Sequence, residues 1–143
     1  MREIKFKGKA IMTNEELDSM HFIHDNGWFS GNLIQNGNKP WILGDIVESD
    51  PEYIVHDFWV RVDPKSVSQY TGLKDKNGQE IFEGDITRDF DEGIISKVKF
   101  EDGQFLITDP IYDSEPLCEF DSCIEVIGNI YEHPHLLEGE SHV

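Results

Sequence analysis

The sequence is short of cysteine, of basic side chains and of long apolar runs. Only two cysteines, Cys118 and Cys123, occur among 143 residues. Two thiols cannot build the multi-disulfide framework of a small secreted domain, and these two lack the short spacing and second pair of a zinc site. Five residues apart they allow a disulfide with each other, but in a chain without a signal they read as reduced, small buried residues in or near a strand. No apolar run approaches the roughly 18 residues of a membrane helix. The basic start MREIKFKGKA is not followed by an apolar stretch with a small-residue cleavage site, so it does not read as a secretory signal. The expected compartment is the cytoplasm, with no membrane contact.

The shortage of basic residues is the strongest compositional signal. Twelve Lys and Arg face 29 Asp and Glu, a net charge of −17. The imbalance is uneven: residues 1–70 carry −4 and residues 71–143 carry −13. Such a surface repels phosphate, so direct nucleic-acid binding is not expected, whereas solubility and basic partners are favoured.

What is present suffices for a core. Apolar residues make up 38%, including nine Phe, three Trp and four Tyr, and the length suits one domain or two small subdomains. Ile4 and Phe6 alternate with Glu3, Lys5 and Lys7, a strand period. Thr13 and Glu16 have capping-box spacing, with Met12 and Leu17 at staple positions, which predicts a short helix over about 14–20. Asp25-Asn26-Gly27 is a turn. Trp28–Gln35 predicts a strand broken or bulged at Gly31, and Asn36-Gly37-Asn38 a hairpin leading into a return strand over 41–47. Tyr53-Ile54-Val55 is short and ambiguous. Phe58, Val60 and Val62 alternate with Trp59 and Arg61. Asp63-Pro64 opens a helical turn that Gly72 would close, and Asn77-Gly78 asks for a type I′ turn flanked by Leu73 and Ile81-Phe82.

The second half reads as all β. Strands are expected over 81–87, 93–100, 104–108 and 123–131, with Lys97 and Lys99 blunting an edge. The acidic stretch Asp109 to Asp121, with Pro110 and Pro116, reads mostly as loop, and the last few residues as a fraying tail. Gly44-Asp45-Ile46, Gly84-Asp85-Ile86 and Gly128-Asn129-Ile130 share a pattern that reads as a common β-bulge device rather than a repeat.

The block from Val62 to Ile86, VDPKSVSQYTGLKDKNGQEIFEGDI, closely resembles the signature of the YopX-like proteins, small proteins of phages and prophages of Gram-positive bacteria. Met1–Lys9, Asn26–Ile34 and Ile124–Pro134 are similar to the family's N-terminus, first hairpin and C-terminal strand. Residues 12–24 look like extra length. The resemblance implies a mainly β fold of two small all-β subdomains, 1–72 and 73–143. The second would be an SH3-like barrel, with at most one or two short helices and no catalytic residues to carry over.

Reactive groups are scattered. His21 and His24 are three apart, and His133 and His135 two apart, but spacing alone supplies no third and fourth metal ligand. Asp89-Phe90-Asp91-Glu92-Gly93 lacks the full calcium-loop pattern and reads as a polar turn. Asp85 has no nucleophile or second carboxylate beside it, and Ser66 and Ser68 lack the nucleophile-elbow context. No cofactor, catalytic residue or metal site is therefore expected. The leading expectation is a non-enzymatic phage or prophage interaction module whose partner is an unidentified host or phage protein, or a second copy. Its expected contact residues are Trp59, Tyr70, Lys74, Asp75, Lys76 and Asn77. The alternatives are an acidic DNA-mimic-like inhibitor of a host DNA-binding protein and, behind it, a metal-dependent enzyme.

Overall fold

In a computed structural model the structure describes residues 3–109 and 114–139. The chain is mainly β, with thirteen strands and two short helices among the described residues. Its contacts group into two compact units, one over Glu3–Gln69 and one from Tyr70 onward.

The first unit begins with β1 (Phe6–Lys9) and α1 (Asn14–Ser19). The helix starts where its sequence says it should. The Thr13 hydroxyl accepts from the Glu16 amide, and the Glu16 carboxylate accepts from the Thr13 amide. The Thr13 amide, and after it the Thr13 hydroxyl, stabilise the Glu16 carboxylate and hold that carboxyl below the usual range. Leu17 is fully buried and Met12 packs against the same cluster, so the staple forms as well.

Five further strands complete the unit: β2 (Trp28–Ile34), β3 (Trp41–Leu43), β4 (Ile46–Asp50), β5 (Tyr53–His56) and β6 (Trp59–Arg61). The order β6-β3-β2-β1 forms an antiparallel sheet. Its β1 edge takes Ser68 and Gln69, the opening residues of β7 (Ser68–Lys74). Ala10, Leu17, Phe29, Ile42, Val60 and Val62 form the core. Strands β4 and β5 pair only with each other.

Several expectations change here. Ile4 is exposed and does not share the core with Phe6. Gly31 lies in unbroken register opposite Phe6, so there is no bulge; it is glycine because a Cβ would strike the Leu43 carbonyl oxygen. The return strand over 41–47 is two strands, broken at Gly44-Asp45. The turn after Asp63 ends at Ser66, and β7 runs through Gly72 with a register shift instead of stopping there.

In the second unit the end of β7 pairs with β8 (Glu80–Phe82). Strands β9 (Asp85–Asp89), β10 (Ile95–Glu101), β11 (Gln104–Thr108), β12 (Glu115–Pro116) and β13 (Ile124–Asn129) form a sheet ordered β12-β11-β10-β9-β13. Among the described residues its outer strands do not pair with each other, so the sheet is open. Ile81, Val98, Leu117 and Ile124 make its core. Because β10 lies between β9 and β11, Lys97 and Lys99 guard no edge. Of the three Gly-Asp/Asn-Ile segments, one adjoins a register shift in β13 and another a shift in β4, while Gly84 separates β8 from β9. Cys118 and Cys123 are exposed, in two short 3-10 turns that precede β13, which corrects the buried reading. After Pro134 the chain forms α2 (His135–Gly139). The expected fraying tail and residues 110–113 of the acidic loop lie outside the described residues.

Candidate interaction surface

The six residues singled out from sequence fall on both units and differ in burial. Trp59 lies on β6 in the first unit and the other five belong to the second. Tyr70 and Asp75 are each only 6% exposed. Tyr70 packs on Phe82, ring centres 5.4 Å apart, so it is a core residue. Lys74, Lys76 and Asn77 are exposed, and the Lys76 ammonium sits 4.7 Å from the centre of the Phe90 ring.

Asp75 organises the turn that the sequence assigned to Asn77-Gly78. One carboxylate oxygen accepts from the Asn77 and Gln79 amides at 2.8 and 2.9 Å; the other accepts from the Val126 amide at 2.9 Å. The Gly78 amide closes the turn on the Asp75 carbonyl at 3.0 Å. Only Gly78 has positive φ, at 82°, so the turn is not type I′. The hairpin is therefore pinned to β13 from beneath by a buried carboxylate, and its exposed lysines are what remains on the outside.

An exposed apolar surface lies elsewhere, in a segment whose sequence pattern is ambiguous. Every side chain of β4 is exposed, as are Tyr53, Ile54 and Val55 of β5. Ile46 is 57%, Val47 61% and Ile54 59% exposed. The ribbon turns at Asp50-Pro51-Glu52, where an Asp50 carboxylate oxygen accepts from the Glu52 and Tyr53 amides. Ile46-Val47 and Ile54-Val55 are adjacent apolar pairs, and neighbours on a strand point to opposite faces. A ribbon with one buried face leaves one member of each pair in water. That signal was present in the sequence.

Between this ribbon and the sheet runs a groove of about 650 Å³. Ile34, Trp41, Leu43 and Trp59 form its sheet wall, and Ile54, Val55 and His56 its ribbon wall. Trp59 is 48% exposed, with Phe22 packed edge-on at 5.4 Å. His56 is tied at the ribbon's root through Nδ1 to the Gly44 carbonyl at 2.7 Å.

The Tyr53 hydroxyl donates to Glu48 at 2.6 Å across the ribbon. A phenolate there would face a carboxylate, so the Tyr53 pKa is raised above its ordinary value. Glu48→Gln is expected to bring it back down. NMR titration of the Tyr53 ring in both proteins measures this; coincident curves would disprove the pairing.

The remaining polar candidates are engaged in structure. Asp85 is 1% exposed and accepts from the Phe82 amide. His24 accepts from the Gly27 amide through Nδ1 and meets Asp18 through Nε2 at 2.8 Å. His133 accepts from the Asn129 amide. Asp89 accepts from the Asp91 and Glu92 amides, which makes the 89–93 segment a turn. Among the described residues no group of three or more His, Cys, Asp or Glu side chains could hold a metal ion. No described helix is long and apolar enough to cross a membrane. The second unit has its own cleft of about 320 Å³, where Asp89, Glu92, Asp109 and Glu115 border Ile94, Ile107, Phe120 and Ile124.

Comparison with known proteins bears on this arrangement. The family model described as YopX protein matches residues 34–138, which include the ribbon, the groove and the 73–80 hairpin but not α1. In shape the chain is similar to the crystal structure of protein EF1440 from Enterococcus faecalis. The TM-score is 0.59 at 23% identity, covering 96% of this chain and 99% of that one, a likeness of fold alone. No curated protein matches the chain.

Proposed function

The chain belongs to the YopX family, and from that premise we propose that it is a phage or prophage accessory protein that works in the cytoplasm by binding another protein, not by catalysis. Its contact surface is the β4–β5 ribbon with the groove beside it. The observation that carries this reading is the ribbon's exposure. A two-stranded ribbon is at best marginally stable alone in water, yet this one keeps Ile46, Val47, Tyr53 and Ile54 in solvent. Contiguous exposed apolar surface marks an interaction site, and a partner that covers it removes that apolar area from water. The non-catalytic part is supported by the buried carboxylates Asp75 and Asp85, both occupied by backbone amides.

The test is a photo-crosslinking residue placed at Ile54 in producing cells, with Phe100, an exposed side chain of the second unit, as control. A discrete crosslinked protein from position 54 and none from position 100 is expected. No product, or the same products from both positions, would reject the ribbon as the contact surface.

A second reading is supported by charge. Residues 71–143 carry −13, and the cleft of the second unit is bordered by four carboxylates. An acidic surface of this kind suits inhibition of a host DNA-binding protein. Its partner would be basic, released by salt and displaced by duplex DNA. Capture that is insensitive to both would exclude it.

A further inference from the structure

We propose that the occupant of the ribbon groove is a second copy of this chain, related to the first by a two-fold axis. This rests on the reading of the ribbon as the contact surface and names its partner. The two sides of the groove carry opposite charge. The ribbon and its root, residues 45–57, bear Asp45, Glu48, Asp50, Glu52 and Asp57 and no Lys or Arg. The sheet side is bordered by two exposed bases. Lys39 lies in the loop that contributes Gln35 and Asn36 to the lining, and Arg61 sits opposite Trp41 in the β3–β6 pairing.

Within the chain these charges do not meet. Among the described residues neither Lys39 nor Arg61 is in an ion pair, and Asp45, Glu52 and Asp57 are equally without one. A surface with an acidic apolar ribbon on one side and a basic-edged aromatic wall on the other complements itself when rotated by 180°. The ribbon of each copy then covers Trp41 and Trp59 of the other, and its carboxylates reach the other's Lys39 and Arg61. This is the isologous arrangement of two-fold dimers, in which each contact occurs twice. A wholly basic partner would match the ribbon but would set its own charge against Lys39 and Arg61. The net charge of −17 opposes association at low salt. At physiological ionic strength screening over about 8 Å removes most of that long-range repulsion and leaves the short contacts.

The decisive experiment exchanges the charges. One protein carries Lys39→Glu and Arg61→Glu, the other Glu48→Lys and Glu52→Lys; all four positions are exposed. Sedimentation equilibrium at physiological salt, with circular dichroism confirming that each variant is folded, is expected to show a wild-type dimer. Either variant alone should have its dissociation constant raised about tenfold or more, the scale of close interfacial charge pairs. An equimolar mixture of the two should recover association, because each supplies the charge the other lacks. A wild-type chain that stays monomeric at about 100 µM, a contact weaker than roughly −5.5 kcal/mol, would overturn the proposal. So would a dimer that neither variant weakens, or a mixture that does not recover. A monomer whose position 54 still crosslinks a different protein would overturn this inference and leave the ribbon as a contact surface. A monomer with no such crosslink would remove both.

Discussion

Asp75→Ala is expected to destabilise the second unit by about 3–5 kcal/mol, since it removes three part-buried hydrogen bonds from main-chain amides to a charged acceptor, each worth about 1.5–3 kcal/mol. The amides are those of Asn77, Gln79 and Val126. Two belong to the turn and the third to the last strand, 51 residues further on, so one side chain fixes both the shape of the hairpin and the place of β13. Lys76 adds a main-chain bond between the same two segments, its amide donating to the Ile124 carbonyl at 3.0 Å. Asp75→Asn should fall between wild type and alanine. The amide side chain keeps one acceptor but turns an NH2 toward an amide that needs an oxygen. Amide exchange at Val126 and a chemical denaturation curve measure the effect. All three tryptophans lie in the first unit, so their fluorescence reports separately on that unit and should respond less. An alanine variant within about 1 kcal/mol of wild type, a single ordinary hydrogen bond, would mean that the carboxylate does not hold the unit together.

The Asp75 network also marks where reading from sequence stops. Local chemistry was legible. The Thr13 cap, the Asp25-Asn26-Gly27 reversal, the turn at Asp89 and the inward Val60 and Val62 each depend on residues a few positions apart. Lys-Asp-Lys-Asn looks solvated because three of its four side chains are. The partner that buries the fourth is an amide donated by β13, and nothing within ten residues announces it. Tyr70 failed as a surface residue for the same reason: its partner Phe82 comes from the next strand. Edge status is non-local too. Lys97 and Lys99 resemble edge guards until the order of the sheet places β10 between two neighbours. The ribbon is legible in part. Its adjacent apolar pairs and the five acids of residues 45–57 stand in the sequence, but a single return strand over 41–47 takes in Ile46 and Val47 and leaves no hairpin.

Gly31 connects the fold to that ribbon, and Gly31→Ala is expected to cost about 1–3 kcal/mol, the range for forcing extra volume into a packed site. The added Cβ would collide with the Leu43 carbonyl oxygen and lie 3.2 Å from its carbon. Both are main-chain atoms, so no rotamer change relieves the contact and β2 must move away from β3. That movement weakens the pairings of Asn32 with Leu43 and Leu33 with Ile42. It also displaces Ile42 from the core and Trp41 and Leu43 from the groove wall. Gly8 provides the comparison. There a Cβ would meet the Val62 side chain at 2.8 Å, so Gly8→Ala should be partly rescued by Val62→Ala, whereas Leu43→Ala should not rescue Gly31→Ala. Tryptophan-detected denaturation separates the two cases, because Trp28, Trp41 and Trp59 all lie in the affected sheet. In the same variant the groove should lose affinity for its occupant even at temperatures where the protein remains folded, since its sheet wall has shifted. Full rescue of Gly31→Ala by Leu43→Ala, or no loss of stability from Gly31→Ala, would show that the close approach of β2 to β3 does not set the position of that wall.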